Sequence, residues 1–342
     1  MMPADPAATP LWPQLVATRT LVVDGPLAWF DMSPGDRALV GPGDAVATGA
    51  ALIERLRDAH VATPPSQPDS DARPGDRFLP LPGRVASIRG RRDQLEAELL
   101  HRPPAGWRVV VGEVADALEA PAPGIVREIH AGVGMAVAFE GHALLGSSVA
   151  GVPARGRLVM ATDPAGELRP SALDVGLAGT IVVAGSRVSA ETLSRGRAMG
   201  LRGVVVASLG QKELRDFRAS EARQRAALHR LEPFAVLVLD GTVRRPIAGP
   251  IMAILAALAG RDVTIIPDPP ALLFSDDGAA AIRPAPDQVR IRHGPETGRE
   301  GRLIGTLGLR RFEANVHAEA AEVTLADGRT IVVPVADLER FI

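Results

Sequence analysis

The pattern of apolar and polar positions changes twice along the chain. Up to about residue 150, short apolar runs alternate with Gly/Pro/Asp turns. Leu21-Val22-Val23, Ala38-Leu39-Val40 and Ala51-Leu52-Ile53 read as short strands, separated by turns at Ser33-Pro34-Gly35-Asp36 and Gly41-Pro42-Gly43-Asp44. Leu95, Leu99 and Leu100 fall at helical spacing and predict a short amphipathic helix over 91–100, ended by Pro103-Pro104. Val109-Val110-Val111 returns to strand. From about Leu173 the pattern differs. Thr180 to Ala184, Gly203 to Ala207, Phe234 to Leu239 and Val263 to Ile266 are continuous apolar runs, as in strands covered on both faces. Between them, Ser189 is placed to cap a helix running to about Met199, with Glu191 in its first turn. Gln211 to Leu231 and Ile247 to Leu258 predict two further helices. Strands alternating with helices predict a parallel sheet with right-handed crossovers. The tail returns to strands: Gln288 to Arg292, Ala320 to Leu325 and Thr330 to Pro334, with Asp327-Gly328 as a hairpin turn.

Two blocks in the first region echo each other. One is Gly43-Asp44, Val46, Gly49 and Leu52; the other is Pro121 to Ile129, continued by Gly134, Val137, Gly141 and Leu144. Pro80-Leu81-Pro82-Gly83-Arg84-Val85-Ala86-Ser87-Ile88 repeats the spacing of the second block. This turn–strand–turn–strand pattern resembles the half-repeats of biotinyl- and lipoyl-type domains, the barrel-sandwich hybrids. Such domains carry their cofactor on a lysine in a hairpin between the halves. Here Leu52 to Arg57 takes roughly that place without a lysine, and Lys212 is the chain's one lysine. The resemblance therefore implies an unmodified module, used for packing in an assembly. Residues 287–342, with Gly294-Pro295, Gly298, Gly301 and Gly305, resemble a KOW motif inside a small Src-homology-3-like barrel. That resemblance implies contact with RNA or with a protein partner.

The expected fold class is multidomain α+β and α/β: a β-rich barrel-sandwich domain, a central parallel-sheet α/β domain and a C-terminal small β-barrel. Expected boundaries are a flexible arm at 1–16, the barrel-sandwich domain at 17–150 with a Pro-rich linker at 62–76 and the helical insertion at 91–100, the α/β domain at 151–275 with its core at 171–275, and the small barrel at 287–342.

Composition excludes more than it proposes. With no cysteine among 342 residues, disulfides, thiolate metal sites and cysteine nucleophiles are ruled out. Net charge is −2, so no global field draws the chain to nucleic acid or membrane. The N-terminus lacks a basic segment followed by an apolar run, and the longest apolar stretch, Pro246 to Gly260, is short for a bilayer. The expectation is a cytoplasmic protein with no membrane contact.

Ligands of parallel sheets sit beyond the carboxyl ends of the strands. Those ends offer Ser186, Arg187, Ser208, Lys212, Asp240, Arg244 and Arg245 as a crevice for a small anion. In the tail, Arg290, Arg292, Arg299 and Arg302 are candidates for phosphate or partner contact. His130 and His142 flank the second β block, but no histidine pair has metal-ligand spacing on one helix. No catalytic group, cofactor or metal is assigned. The leading expectation is a non-catalytic adaptor or assembly protein in a cytoplasmic complex, with a protein partner. An RNA-associated factor acting through the C-terminal barrel and an enzyme or sensor using the crevice stand as alternatives.

Overall fold

The computed structural model describes residues 16–33, 35–62, 77–78, 95–101, 108–227 and 232–342. The protein is β-rich and includes a curled, half-barrel sheet. Its chain divides into two compact units, one of residues 25–140, the other of residues up to 24 together with 141–342.

In the unit of residues 25–140, the two echoing blocks lie side by side. Ala45–Val46 pairs antiparallel with Gly124–His130, with Val46 opposite Gly124. Gly43 N–H donates to Val126 O at 2.8 Å and Val126 N–H to Asp44 O at 2.9 Å, so the turn of one block is sewn to the strand of the other. Gly124–His130 also pairs with Gly134–Phe139, which pairs in turn with Leu27–Asp31. Ala28, Phe30, Val126, Met135, Val137 and Phe139 are buried. Phe30 meets Phe139 edge-on at 6.0 Å. A second sheet joins Arg37–Ala38, Ala51–Ala62, Arg108–Glu119, Leu95–His101 and Arg77–Phe78.

Ala51-Leu52-Ile53 is a strand as expected, but it continues through Ala62, so Leu52 to Arg57 does not form the hairpin that the resemblance implied at that place. One expectation is corrected here. The segment expected as a helix over 91–100 is a strand at Leu95–His101, paired antiparallel with Arg108–Glu119. The run Leu95-Glu96-Ala97-Glu98-Leu99 carries a period of two as well as a period of four, and the cross-strand pairing decides between them. The Pro80–Ile88 repeat, the 1–16 arm up to residue 15 and the 62–76 linker beyond Ala62 lie outside the described residues.

The other unit is built on a nine-stranded sheet among the described residues. Its order is Ser148–Gly151, Ala235–Val238, Gly203–Val206, Thr180–Val183, Ala154–Met160, Asp262–Ile266, Ala271–Phe274, His142–Leu145 and Val22–Asp24. Only the run from Ala154–Met160 to Ala235–Val238 is parallel. The fully parallel sheet is thus corrected to a mixed one. Asp262–Ile266, expected as a fourth parallel strand, returns antiparallel beside Ala154–Met160. Strands at 22–24, 142–145 and 148–151, which the sequence pattern joined to the first domain, complete this sheet.

Side-chain alternation explains the two cores. Ile181, Val183, Val205, Ala207, Ala235, Leu237 and Leu239 point to one face and pack with Ile247, Ile251, Ile254, Leu255 and Leu258. Val182, Ala184, Val204, Val206, Val236 and Val238 point to the other and meet Leu193 and Phe217. Helices Ala190–Ala198 and Gln211–Ala227 thus cover one face and Gly249–Ala257 the other. Each fully buried Ile or Leu contributes roughly 1.5–3 kcal/mol, so Gly249–Ala257 is held by its apolar surface rather than by a side-chain cap, which it lacks. The Ala190–Ala198 helix is capped as expected: Ser189 Oγ accepts from Thr192 N–H at 3.1 Å.

A six-stranded sheet ends the same unit, in the order Ala17–Arg19, Leu338–Phe341, Gln288–Ile291, Glu300–Arg311, His317–Leu325 and Thr330–Pro334. Its core is Val16, Val289, Ile291, Leu303, Ala321, Val323, Leu325, Val335 and Leu338. Ala17–Arg19 runs parallel to the last strand, so both ends of the described chain are fastened into one sheet.

Candidate functional site

At the carboxyl ends of the parallel strands, two of the expected hydroxyls bond to the protein's own backbone. Ser186 is buried, and its hydroxyl is positioned to donate to Ala165 O and Gly166 O, each at 2.9 Å. Ser208 Oγ donates to Ser186 O at 2.7 Å. Both hydroxyls hold loop backbone together. Arg187 is exposed and lies 3.4 Å from Glu167. Lys212 is exposed on the first turn of the Gln211–Ala227 helix. Arg244 is exposed in the loop after Ala235–Val238.

Asp240 is occupied. Its Oδ2 accepts from Arg290 Nη1 at 2.9 Å and its Oδ1 from Arg290 Nη2 at 2.7 Å, while Arg19 binds the same carboxylate. Arg290 Nε donates to Glu339 Oε1 at 2.6 Å, and its guanidinium sits 5.1 Å from the centre of the Phe341 ring. Burial alone would push the Asp240 carboxyl up. The bidentate Arg290 and the Arg19 charge outweigh it and hold the group below its usual range. Arg245 lies close enough to feel this cluster: burial, then the Arg290 charge, pushes its pKa down. The structure therefore joins one crevice residue, Asp240, to one tail candidate, Arg290, and does not assemble the seven crevice residues into an open site.

Arg290 cannot meet a phosphate, because it is 1% exposed and saturated by two carboxylates. That expectation is corrected. Arg292 is half-buried. Arg299 binds Glu296 at 2.9 Å and also binds Asp327, while Arg329 lies 3.0 Å from Asp327 and 3.3 Å from Glu296. The Arg329 N–H and then its guanidinium hold Asp327 down to about 2. Arg302 binds Asp287 at 2.6 Å. The tail arginines thus serve mainly as partners for the tail's own carboxylates.

What the tail does expose is a ribbon. Glu300–Arg311 pairs with His317–Leu325 over its length, Arg311 standing opposite His317. Its outer neighbours stop early. Gln288–Ile291 pairs only as far as Arg302, and Thr330–Pro334 only as far as Ala320. The distal part, Leu309 to Arg311 with His317 to Glu319, is held by its own two strands. Register shifts between Leu303 and Gly305 and between Thr306 and Gly308 mark bulges where the ribbon can bend. Phe312 N–H donates to Val316 O at 2.8 Å and closes the tip. Leu309 is 73% exposed and Val316 55% exposed, with Ile304 also exposed nearer the base. Arg310, Arg311, Glu313 and Glu319 are exposed among them. Sequence reasoning missed this feature because strand pairing, not composition, determines which apolar residues remain uncovered.

Among the described residues, no group of three His, Asp or Glu is placed to hold a metal ion. None of their helices is long and apolar enough to cross a membrane. No protein-family model matches the chain. No curated protein matches it either.

Proposed function

We propose that this protein is a non-catalytic adaptor or assembly protein of a cytoplasmic complex, and that the distal ribbon of Glu300–Arg311 and His317–Leu325 is its contact with a protein partner. One observation carries the reading: Leu309 stands exposed on a strand that has outrun its outer neighbours, with Val316 exposed in the tip that joins the two strands. Free strand edges and uncovered aliphatic side chains are what an added strand or a partner's apolar surface engages. The mixture of Arg310 and Arg311 with Glu313 and Glu319 suits a protein surface better than a phosphate backbone. The edge-to-edge pairing of the two echoing blocks supports reading residues 25–140 as an unmodified barrel-sandwich module. The absence of lysine from those blocks is in keeping with a packing role.

RNA binding through the KOW-like tail is the second reading, supported by the exposed Arg310 and Arg311. Affinity purification of the tagged full chain from its host, with and without nuclease, separates the two. The adaptor reading expects a partner in fixed stoichiometry that survives nuclease and is lost with the double variant Leu309→Asp, Val316→Asp. Binding that disappears with nuclease, or that ignores the double variant, overturns it.

A further inference from the structure

His142 opens the strand His142–Leu145, between the edge strand Val22–Asp24 and the strand Ala271–Phe274. It stands opposite Asp24 on one side and Phe274 on the other. Its ring lies 5.5 Å from the Phe274 ring. Nδ1 is 2.7 Å from Asp24 Oδ1, and Nε2 is 2.9 Å from Asp277 Oδ1. A neutral imidazole has one N–H and one lone pair, and an ionised carboxylate only accepts. Two carboxylate contacts of this length require two N–H donors. The geometry is that of an imidazolium clamped between two anions. Losing the proton would remove one bond and turn a lone pair toward a carboxylate.

Asp276, beside Asp277, accepts from Ala279 N–H at 2.9 Å and lies 3.5 Å from Arg261. Ala271–Phe274 contributes the Phe274 ring and no charged side chain. The charged groups facing His142 are thus Asp24 from the edge strand and Asp277 from the start of the Asp277–Ala280 helix. Among the described residues, Val22–Asp24 is the last strand of its sheet and pairs there with His142–Leu145 alone. Asp24 and Gly141 are also the residues at which the chain leaves this compact unit and re-enters it.

We propose that His142 is a proton-operated clasp that fastens the edge strand Val22–Asp24 and the Asp277–Ala280 turn to the strand His142–Leu145, closed as the imidazolium and loosened as the neutral ring. The hydrogen bond to Asp277 raises the His142 pKa above 6.5; burial opposes it, and Asp24 adds to the rise. A raised folded-state pKa gives a stabilising contribution that is fully present below the unfolded value of 6.5 and is lost as pH rises through the folded value. Closing and opening therefore fall above pH 6.5. Because the two carboxylates are 82% and 96% exposed, salt screens the clasp.

The test is a nitrogen-detected NMR titration of His142 in the full chain, joined to amide exchange at several pH values. The clasp requires both ring nitrogens to carry a proton at pH 6.5, and a midpoint above that of free histidine. Asp24→Asn and Asp277→Asn should each shift the midpoint down. The protection factor of the Val23 amide should fall through the titration relative to those of Thr180–Val183, and His142→Gln should abolish that dependence. Should His142→Gln fail to fold, the exposed Asp277→Asn carries the same test. A midpoint at or below that of free histidine, or protection that does not change through it, overturns the proposal.

Discussion

Arg290 and Arg310 belong to neighbouring strands of one sheet, yet one is sealed and the other stands in solvent. Arg290 is reached by Asp240 from the end of a parallel strand and by Glu339 from the last strand of the chain. Arg310 lies where the ribbon has outrun both neighbours, and among the described residues no other strand pairs with it there. The same side chain is structural in one place and available in the other. The difference lies in which strands end where. A buried guanidinium with two carboxylates is costly to disturb, whereas an exposed one costs little to remove.

The largest expected effect breaks the sealed side. Arg290→Ala leaves Glu339 buried without its cation and Asp240 with Arg19 alone, and should lower the unfolding free energy by about 3–5 kcal/mol, read by urea denaturation. A loss below about 1 kcal/mol would mean that water or Arg19 replaces it, and that the two regions differ less than their burial implies. Acid sharpens the same point. The Asp240 pKa is lowered from 3.8, so its contribution is present above pH 3.8 and lost as pH falls through the folded value. Stability of the intact chain should fall more steeply there than that of an Asp240→Asn variant measured beside it.

The smaller effects belong to the open side. Leu309→Asp with Val316→Asp removes exposed side chains and should change stability by no more than about 0.5 kcal/mol per site, while abolishing partner capture. Arg299→Ala, in the exposed cluster with Glu296 and Asp327, should leave the denaturation midpoint where it is. A midpoint that drops clearly with Arg299→Ala would make that cluster part of the sealed region.

Much of the α/β centre was legible because burial on both faces leaves continuous runs such as Thr180 to Ala184. Ala154–Met160 escaped notice although it lies at the middle of the sheet. Its inward positions begin with Ala154 and Gly156, too small to register as an apolar pattern. They are small for a reason: a Cβ at Gly156 would lie 2.7 Å from Gly179 O. Leu95–His101 was misread because Leu, Glu and Ala favour helix locally, while pairing with a strand more distant in sequence favoured extension. The crevice was misread for a different reason. Ser186, Ser208 and Asp240 were rightly placed at strand ends, but nothing near them in sequence indicates that Arg19 and Arg290 arrive to close the site. His142 stood out only as a histidine beside a β block, since Asp24 and Asp277 are 118 and 135 residues away.

The most direct test of the ribbon's role places a photo-crosslinking residue at Leu309 in the full chain, expressed in its host, and a second at Val175. Val175 is 79% exposed but lies in the short turn Val175–Leu177 rather than on a strand. The account predicts one dominant protein adduct from position 309, resistant to nuclease, and none in common from position 175. The same adducts from both positions, or an adduct at 309 that is nucleic acid, would contradict it.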